Sequence, residues 1–504
     1  MALGCVSVPP DMARDVILAI DQGTTGTTVL AVDSKLQVIA RCNREFRQIY
    51  PKPGWVEHDL SEIWGSTQAT LAEVLKDGLD PMRIAAIGIT NQRETVGLWD
   101  RKTSNPIHNA IVWQCRRTSE RCAQLKAAGH EELVRHKTGL VLDPYFSGTK
   151  AEWLLDNVSG ARARADKGEL AMGTIDTFLV WQLTGGKSHV TDVSNASRTM
   201  LFDLDRAEWD DQLLDLLRVP KTILPEVRSS SEVYGVTRGV SGIPEGIPIA
   251  GIAGDQQAAR FGQACFEPGD VKCTYGTGAF VLINTGPKLV RSTHGVLSTA
   301  AWKLGPKGAV EYAMEGSVFI AGAAVQWLRD GLGIIQKSSD VEALAASVES
   351  SGDVVFVPAL VGLGAPHWKP EARGLIAGLT RDTTRAHIAR ATLEGIALQV
   401  DEVVSSMKSD AGGQIRSLRV DGGAAANNLL MQMQADLLGQ SVIRPKMIET
   451  TAAGAAFLAG LAVGLFGSKD EIRSSWQEDQ RFERKNAAYA ESISKKWKAA
   501  VSKA

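Results

Sequence analysis

Cysteine is scarce in this chain of 504 residues and never occurs in the paired spacing that binds zinc or cycles between thiol and disulfide. The six cysteines stand far apart, and the sequence has no CxxC motif. This pattern leaves zinc ribbons and dithiol redox motifs without support. Scattered cysteines in a long chain are typical of reduced thiols, so we expect a cytoplasmic protein.

The chain also lacks a basic excess and a long apolar run. Lys and Arg number 55 against 57 for Asp and Glu, so neither nucleic acid nor an anionic membrane is an expected partner. The run from 452 to 466 is short and rich in Ala and Gly, whereas a transmembrane helix needs ~20 apolar residues. Residues 1–14 lack the charged start of a signal peptide and are interpreted as an N-terminal extension.

Glycine, in contrast, is abundant. The 49 glycines cluster at the ends of apolar segments, and 44% of all residues are hydrophobic. A chain of this length is expected to form two to four domains of ~100–200 residues each. Glycine-rich strand ends are typical of α/β enzymes, whose ligands bind where strands end.

The sequence is organised around a Gly- and Thr-rich octet, DQGTTGTT, at residues 21–28. Apolar runs on both sides predict two buried strands joined by a tight turn. The glycines permit a ligand to approach the backbone, and the threonines add hydroxyl donors. Such a turn is suited to phosphate, and Asp21 at the strand end is suited to hold a metal ion through water. An ordinary hairpin turn is the alternative.

A second strand, Gly/Thr turn and strand follow at residues 271–283. This internal repeat indicates two similarly built halves that face each other, with a boundary near residue 262. A third Gly-rich strand end at 421–424 precedes a helix that opens at Asn427, whose N–H groups are suited to meet a nucleotide. Other patterns predict helices at about 61–76, 118–136, 149–157, 317–329 and 384–407, and strands at about 83–90, 107–113, 249–253 and 415–420.

Asp255 follows the predicted strand at 249–253. Phosphoryl transfer needs positioning, charge stabilisation and a carboxylate that takes the proton of the acceptor hydroxyl. Asp255 is suited to that last role, although an aspartate after a strand is also a common turn residue or helix cap. Arg93 and Glu94 set a donor beside an acceptor, as a polyhydroxy substrate requires. A surface ion pair is the alternative for those two residues.

Eight stretches in order resemble the FGGY family of carbohydrate kinases, from about residue 16 to about residue 467. They are DQGTT (21–25), YPKPGWVEHD (50–59), GITNQRET (88–95), DPYFSGTK (143–150), GIAGDQQ (251–257), TYGTG (274–278), GLGAPHW (362–368) and DGG (421–423). The resemblance implies an α/β fold of two actin-like, ribonuclease-H-like domains that face an interdomain cleft. The expected bounds are 1–14 for the extension, 15–262 for the polyol and phosphate domain, and 263–504 for the nucleotide domain.

The resemblance also implies the reaction, which is transfer of the γ-phosphoryl group of ATP, with Mg²⁺, to glycerol. The product would be sn-glycerol 3-phosphate, in the first step of glycerol utilisation. Asp255 would be the general base, and the metal would lie near Asp21 and Asp255. The polyol would be bound by Arg93, Glu94, Tyr145, Asp255 and Gln256, with Phe280 against its carbons. The nucleotide site would be lined by Thr24, Thr25, Gly26, Thr277, Gly322, Gln326, Gly423 and Asn427. Relatives form homodimers and homotetramers, so one of these states is expected.

Three departures from the family pattern stand out. Thr28 occupies a position where the family usually carries an arginine that contacts the nucleotide phosphates, so a fixed positive charge is missing. Relatives inhibited by fructose 1,6-bisphosphate carry a Gly-Gly-Thr-Arg loop, and the corresponding residues 241–246 contain no arginine. Relatives activated by phosphorylation carry a loop histidine, and residues 228–240 contain none. We expect neither form of regulation.

Two other functions stay open. The first is a kinase for another polyol or a sugar on the same scaffold, although Phe280 would crowd a longer acceptor. The second is an actin-like ATP-binding protein with a structural or chaperone role, although Asp255 beside a polyol pocket argues against it. Acceptor-dependent phosphorylation would separate all three functions.

Overall fold

The computed structural model describes residues 14–76, 78–413 and 415–504. The chain forms two compact units. The first contains residues 14–262, Trp302–Val310 and Thr451–Ser475, and the second contains Gln263–Ala301, Glu311–Thr450 and Trp476–Ala504. The predicted N-terminal extension lies outside the described residues, apart from Arg14. Along the described residues, no helix has the length and apolar character needed to cross a membrane.

The part of the chain up to residue 262 alternates short strands and helices. Its strands are β1 (Val16–Gln22), β2 (Gly26–Asp33), β3 (Val38–Glu45), β4 (Glu57–His58), β5 (Ile84–Asn91), β6 (Val96–Asp100), β7 (Ala110–Ile111), β8 (Leu170–Thr174), β9 (Val190–Asp192), β10 (Phe202–Asp203), β11 (Glu208–Trp209), β12 (Glu226–Arg228), β13 (Ser231–Val236) and β14 (Pro248–Gly254). Its helices are α1 (Leu60–Lys76), α2 (Ser119–Ala127), α3 (Glu131–Thr138), α4 (Ser147–Asn157), α5 (Ala161–Asp166), α6 (Ile175–Leu183), α7 (Val193–Ala196), α8 (Asp211–Leu216) and α9 (Asp255–Gly262).

The remainder of the chain contains longer helices. Its strands are β15 (Asp270–Tyr275), β16 (Ala279–Gly286), β17 (Leu297–Lys303), β18 (Val310–Val318), β19 (Val355–Val357), β20 (Leu375–Ala377), β21 (Ser417–Asp421), β22 (Val442–Pro445) and β23 (Glu478–Phe482). Its helices are α10 (Gly322–Asp330), α11 (Asp340–Ala346), α12 (Arg385–Asp410), α13 (Asn428–Leu438), α14 (Thr450–Ala462), α15 (Lys469–Ser475) and α16 (Ala487–Val501).

A six-stranded sheet in the order β13-β14-β5-β1-β2-β3 forms the centre of the first unit. β1, β5 and β14 are parallel, and their register aligns Gln22, Asn91 and Gly254 in one row. The apolar residues of these strands, from Val16 to Ile20 and at Ile87, Ile89 and Ile252, are fully buried. Because the three strands end together, the residues that follow them meet at one edge of the sheet.

α14 covers the strands β5 and β14 at very short range. A Cβ atom on Gly88 would lie 2.3 Å from the carbonyl oxygen of Ala455, and one on Gly251 would lie 2.6 Å from the nitrogen of Ala459. Glycine is therefore required at both strand positions for this approach. The late segment Thr451–Ser475 thus completes the core of the first unit.

A seven-stranded sheet in the order β17-β18-β16-β15-β21-β22-β23 forms the centre of the second unit. β15 pairs antiparallel with β16 and parallel with β21, which repeats the arrangement of β1 with β2 and β5. This confirms the internal repeat predicted from the two Gly/Thr turns. The 26-residue α12 supplies buried residues such as Ile396, Val400 and Val403 to the core of this unit.

Three predicted elements were wrong in extent. The strand expected at 107–113 is reduced to Ala110–Ile111. The helix expected at 118–136 is two helices, because Gly129 between them has φ +82°. The helix expected at 317–329 begins only at Gly322, since Ser317 pairs with Phe280 as part of the strand β18. Backbone pairing with a neighbouring strand outweighed the helical periodicity there.

Candidate active site

The predicted phosphate turn between β1 and β2 rests on buried polar side chains. Gln92 Nε2 donates to the carbonyl oxygen of Gly23 at 3.1 Å, and Gln48 Nε2 donates to that of Thr24 at 2.9 Å. The ring of His58 joins the two glutamines, with Nδ1 3.2 Å from Gln92 Nε2 and Nε2 2.8 Å from Gln48 Oε1. Burial lowers the pKa of His58 to about 4, so the ring is neutral near pH 7.

The hydroxyls of this turn are placed differently from one another. Trp113 Nε1 donates to Thr24 Oγ1 at 3.0 Å, which leaves the hydroxyl proton of Thr24 available as a donor. Thr25 is exposed at the tip of the turn. A Cβ atom on Gly26 would lie 2.7 Å from the carbonyl oxygen of Arg44, so β3 packs directly against the turn. Thr24, Thr25 and Gly26 therefore lie together on a fixed turn.

Arg93 and Asp255 form an ion pair at the carboxyl edge of the six-stranded sheet. Arg93 Nε lies 3.1 Å from Asp255 Oδ1, with side-chain exposures of 1% for Arg93 and 31% for Asp255. Arg93 Nη1 also donates to Gln257 Oε1 at 3.2 Å. Asp255 begins α9, and its Oδ1 accepts the backbone N–H of Gln256 at 2.7 Å. The carboxylate is thus oriented through Oδ1 yet remains reachable by a substrate.

Glu94 lies beside this pair in an unusual backbone conformation. Its φ is +62°, in the left-handed region, which costs a residue other than glycine about 1–3 kcal/mol. Ser147 Oγ donates to the Glu94 carbonyl oxygen at 3.0 Å, and Arg198 Nε donates to Oε1 at 2.7 Å. Arg93 Nε lies 3.8 Å from the same Oε1. Ser147 and Arg198 therefore hold Glu94 in its strained backbone conformation and fix the position of its carboxylate.

Tyr145 and Gln256 are the other two residues of the first unit that are predicted to bind the polyol. The Tyr145 ring meets the Trp113 ring edge to face, with centroids 5.6 Å apart, and Gln256 is buried on the first turn of α9. The Tyr145 N–H donates to Asp143 Oδ1 at 2.8 Å, and Lys150 Nζ donates to the Tyr145 carbonyl oxygen at 2.8 Å. Complete burial lowers the pKa of Lys150 to about 7. The loop that presents Tyr145 is therefore fixed by hydrogen bonds to its backbone.

Sequence reasoning missed Arg198 and Lys150. Arg198 is 104 residues from its partner Glu94, and neither side chain is more than 2% exposed. Lys150 was part of a matching stretch but was assigned no role. A single cationic residue gives no local signal in the sequence, because its partner is found only when the chain is folded.

In the second unit, the predicted nucleotide residues lie where β15 and β21 end. The Thr277 carbonyl oxygen accepts the N–H groups of Ala321 and Ala323 at 2.8 and 3.1 Å. Gly322 begins α10 and donates its N–H to the carbonyl oxygen of Gly276 at 2.9 Å. A Cβ atom on Gly322 would lie 2.6 Å from that oxygen. The start of α10 is thus pressed against the Gly/Thr turn.

The other nucleotide residues surround the same sheet end. Gln326 is exposed on α10. Gly423 follows β21, and Asn427 caps α13, with its Oδ1 accepting the N–H of Leu430 at 2.9 Å. The N-terminus of a helix favours anionic ligands. Phe280 is half-buried on β16, opposite Thr274 in the sheet register, and its packing against a polyol stays a prediction.

The carboxylates suited to a metal ion are Asp21 and Asp255. Both lie within one residue of the row Gln22, Asn91 and Gly254 at the carboxyl edge of the sheet. No cluster of three or more His, Cys, Asp or Glu side chains that could hold a metal ion occurs in the described part of the chain. Two carboxylates fit a cation that takes its other ligands from phosphates and water, as Mg²⁺ does.

The whole chain can be compared with solved structures. It resembles the crystal structure of Plasmodium falciparum glycerol kinase with ADP, with a TM-score of 0.91 and 39% identity over 97% of this chain and 98% of that one. Gluconate kinase from Lactobacillus acidophilus, at 23% identity and a TM-score of 0.87, shares the fold. The protein therefore has the two-domain, actin-like kinase fold.

The family follows from the sequence matches. Residues 16–262 match the N-terminal domain, and residues 271–463 the C-terminal domain, of the FGGY family of carbohydrate kinases. The chain belongs to this family. It is 60% identical to glycerol kinase of Myxococcus xanthus over 97% of this chain and 99% of that protein. It is 56% identical to glycerol kinase 2 of Thermotoga maritima over 97% of this chain and 98% of that protein. The resemblance inferred from the motifs is confirmed.

Proposed function

We infer that this protein transfers the γ-phosphoryl group of ATP to glycerol, giving glycerol 3-phosphate and ADP. The observation that carries this conclusion is the cluster of Arg93, Glu94 and Asp255 at one sheet edge. The cluster offers a polyol one cationic donor and two carboxylate acceptors. The 56–60% identity to glycerol kinases over almost the whole chain supports glycerol as the acceptor.

We propose that Asp255 is the general base. Arg93 and the N–H of Gln256 hold Oδ1, so the carboxylate keeps its direction when glycerol binds. As the terminal hydroxyl oxygen forms its bond to the γ-phosphorus, the hydroxyl proton passes to Asp255 and the bond to the ADP oxygen breaks. The other hydroxyls bind Arg93, Glu94, Tyr145 and Gln256, and Phe280 contacts the carbons.

We propose that two sets of the predicted residues bind the nucleotide. Thr24, Thr25 and Gly26 offer hydroxyl and backbone donors to the phosphates. Thr277, Gly322, Gln326, Gly423 and Asn427 line the rest of the nucleotide site. The main-chain N–H groups of a Gly/Thr turn and of a helix start suit phosphate oxygens without needing a side-chain charge.

We propose that the nucleotide is used with Mg²⁺, near Asp21 and Asp255. Asp21 and Asp255 would hold the ion, which would neutralise part of the charge on the phosphate groups. Removal of divalent cations by a chelator should abolish turnover. We further propose that the enzyme is cytoplasmic and that, as the family resemblance implies, it is a homodimer or homotetramer. Light scattering on the purified protein would test the oligomeric state.

An acceptor panel tests the function. The protein with ATP and Mg²⁺ should phosphorylate glycerol with a kcat/KM at least about 100-fold above that for xylulose or gluconate, because Phe280 would crowd a longer acceptor. Comparable rates with a longer acceptor would identify a kinase for that sugar. ATP hydrolysis that is indifferent to every acceptor would identify an ATP-binding protein of another kind.

A further inference from the structure

A buried segment, residues 192–198, contacts the residues predicted to bind the polyol or their chain neighbours, and it has no role in the mechanism above. It consists of Asp192, the short helix α7, and the two residues that follow it, and every residue of the segment is buried. Its side chains make hydrogen bonds to the residues that end two parallel strands of the sheet and to the Glu94 carboxylate. Each of these contacts bears on a different part of the polyol site.

The first contact reaches the general base. Ser194 Oγ accepts the backbone N–H of Gly254 at 2.9 Å, and Gly254 directly precedes Asp255. Ser194 Oγ also donates to Asp192 Oδ1 at 2.9 Å, which turns a lone pair of the hydroxyl towards Gly254. Ser230 Oγ donates to the other oxygen of Asp192 at 2.7 Å. The carboxylate of Asp192 thus fixes the hydroxyl that holds the end of β14.

The second contact reaches the end of β5. Asn91 Nδ2 donates to Asn195 Oδ1 at 3.0 Å, and Asn195 Nδ2 donates back to Asn91 Oδ1 at 3.2 Å. Asn195 Nδ2 also donates to Asp192 Oδ1 at 3.0 Å. Because Asn91 is the last residue of β5, this pair of hydrogen bonds fixes the backbone from which Arg93 and Glu94 extend.

The third contact reaches the carboxylate of Glu94, which is proposed to bind the polyol. Arg198 Nε lies 2.7 Å from Glu94 Oε1, with side-chain exposures of 0% and 2%. Arg93 Nε lies farther from the same oxygen, at 3.8 Å. Arg198 therefore sets the direction in which the Glu94 carboxylate points. The left-handed backbone of Glu94 sets the position from which its side chain leaves the main chain.

We propose that segment 192–198 is the positioning element of the polyol site, setting the distance between the hydroxyl-binding Glu94 and the base Asp255. This rests on the proposed function, because the spacing matters only if both carboxylates act on one acceptor. The two parallel strand ends are adjacent, and the same seven residues hold both of them. A misplacement of about 1 Å between reacting groups lowers a rate by about 100-fold, so a shared support of this kind affects turnover directly.

The two ends of the segment should have separable kinetic effects. Arg198→Lys replaces a planar fork with a single ammonium group and should raise KM for glycerol by about 10-fold, with kcat within about threefold. Ser194→Ala removes the acceptor of the Gly254 N–H and should lower kcat by about 10-fold, with KM for glycerol within about threefold. Ser194→Thr keeps the hydroxyl and should restore kcat.

Thr199→Val is the matched control. Thr199 is buried next to the segment, and its hydroxyl donates to the carbonyl oxygen of Ala196 rather than to β5 or β14. Whatever its effect on Tm, Thr199→Val should leave kcat and the KM values for glycerol and ATP unchanged. Arg198→Gln is a second variant in case Arg198→Lys does not fold, and circular dichroism identifies the folded variants.

The outcomes separate the two hypotheses. Wild-type protein that fails to phosphorylate glycerol overturns the proposed function. Active wild-type protein whose folded Ser194 and Arg198 variants match Thr199→Val in kinetics overturns the positioning role. The same holds if the two variants change kcat and KM in equal proportion. Glycerol titrations by calorimetry should show weaker binding for Arg198→Lys and unchanged binding for Ser194→Ala.

Discussion

At the scale of single residues, the proposed polyol site combines one partly exposed carboxylate with several buried charges. Asp255 keeps 31% of its side chain exposed, whereas Arg93, Glu94 and Arg198 are almost fully buried. Burying a charge is costly unless it is paired and hydrogen-bonded. The buried members therefore form a fixed frame, and the exposed member is the one free to exchange a proton with a substrate.

The role of Asp255 leads to the first prediction. Asp255→Asn keeps the shape of the side chain but removes its ability to take a proton, so kcat should fall by about 10²–10⁴-fold. KM for glycerol should change by less than about fivefold, since the amide oxygen still accepts a hydrogen bond. Steady-state kinetics check this, with the exposed Asp211→Asn as the unaffected control. A kcat within about fivefold of wild type would remove Asp255 from the mechanism.

Thr28 leads to the second prediction. It faces Asp21 across the hairpin of β1 and β2, and its hydroxyl accepts from Asn43 at 2.9 Å. Thr28→Arg adds a positive charge at a turn proposed to bind phosphates, so kcat/KM for ATP should rise by about 10-fold. Thr28→Leu adds bulk without charge and should give no gain. Equal values for Thr28→Arg and wild type would show that the missing arginine does not limit ATP use.

The sequence contained part of this residue-scale picture. Arg93, Glu94, Tyr145 and Asp255 follow strands or motifs that can be read locally, so they could be predicted as a set. Arg198 could not, because its function depends on a contact with Glu94 across 104 residues. The left-handed conformation of Glu94 was also hidden, since it is imposed by the surrounding structure and not by the glutamate.

At the scale of elements, the starts of helices carry much of the proposed nucleotide chemistry. α10 begins against the Gly/Thr turn at 276–278, and α13 begins after β21. The long α12 could be predicted because its apolar residues recur at helical spacing. The start of α10 could not, since Ser317 and its neighbours satisfy either a helix or a strand until β16 is present to pair with them.

The third prediction compares two helix glycines. Gly322→Ala would bring a Cβ atom to 2.6 Å from the carbonyl oxygen of Gly276, so α10 must shift away from the turn. KM for ATP should rise by about 10-fold, and ADP should bind more weakly in calorimetry. Gly65→Ala in α1 meets no atom within 4 Å and should instead stabilise the protein by about 0.5–1 kcal/mol. ATP kinetics unaffected by Gly322→Ala would argue against a nucleotide site at the start of α10.

At the scale of the whole molecule, acid should destabilise the first unit through its buried histidines. Burial lowers the pKa of both His58 and His189 to about 4, compared with about 6.5 in the unfolded chain. Their folded pKa values are depressed, so their contribution is fully present above pH 6.5. It is lost as the pH falls from 6.5 towards 4, because the unfolded chain takes up protons first. Each histidine contributes about 3 kcal/mol across that window.

The fourth prediction isolates this effect by comparing variants. Burial raises the pKa of Asp176 to about 7, so this carboxyl group stabilises the folded state as the pH falls, whereas the histidines destabilise it. The dependence of the wild-type Tm on pH is therefore the sum of both effects. His58→Gln keeps hydrogen-bonding groups without the titration and should show a smaller fall in Tm from pH 7 to pH 5 than wild type. The exposed His136→Gln should follow the wild-type curve. Identical curves for His58→Gln and wild type would mean that the His58 ring is solvated in solution.

Family motifs in order along the chain predicted the two-domain fold, and five of the eight lie where a strand of one of the two large sheets ends. The return of Thr451–Ser475 to the first unit could not be deduced. A helix made mostly of alanine and glycine has no apolar stripe that indicates which sheet it covers. The helix packs against the glycines of β5 and β14, where an added Cβ atom would lie only 2–3 Å from the helix backbone. This close contact is seen only in the folded chain.

The position of α14 also bears on how the protein is made. The strands β5 and β14 leave the ribosome long before Ala455 and Ala459, which cover them. At ~5–20 residues per second, the gap between residue 262 and the end of α14 corresponds to roughly 10–40 s of synthesis. During that time one face of the sheet has no permanent cover. The first unit to be translated is therefore among the last parts of the molecule to become native, since its sheet lacks this cover until about nine-tenths of the chain has been synthesised.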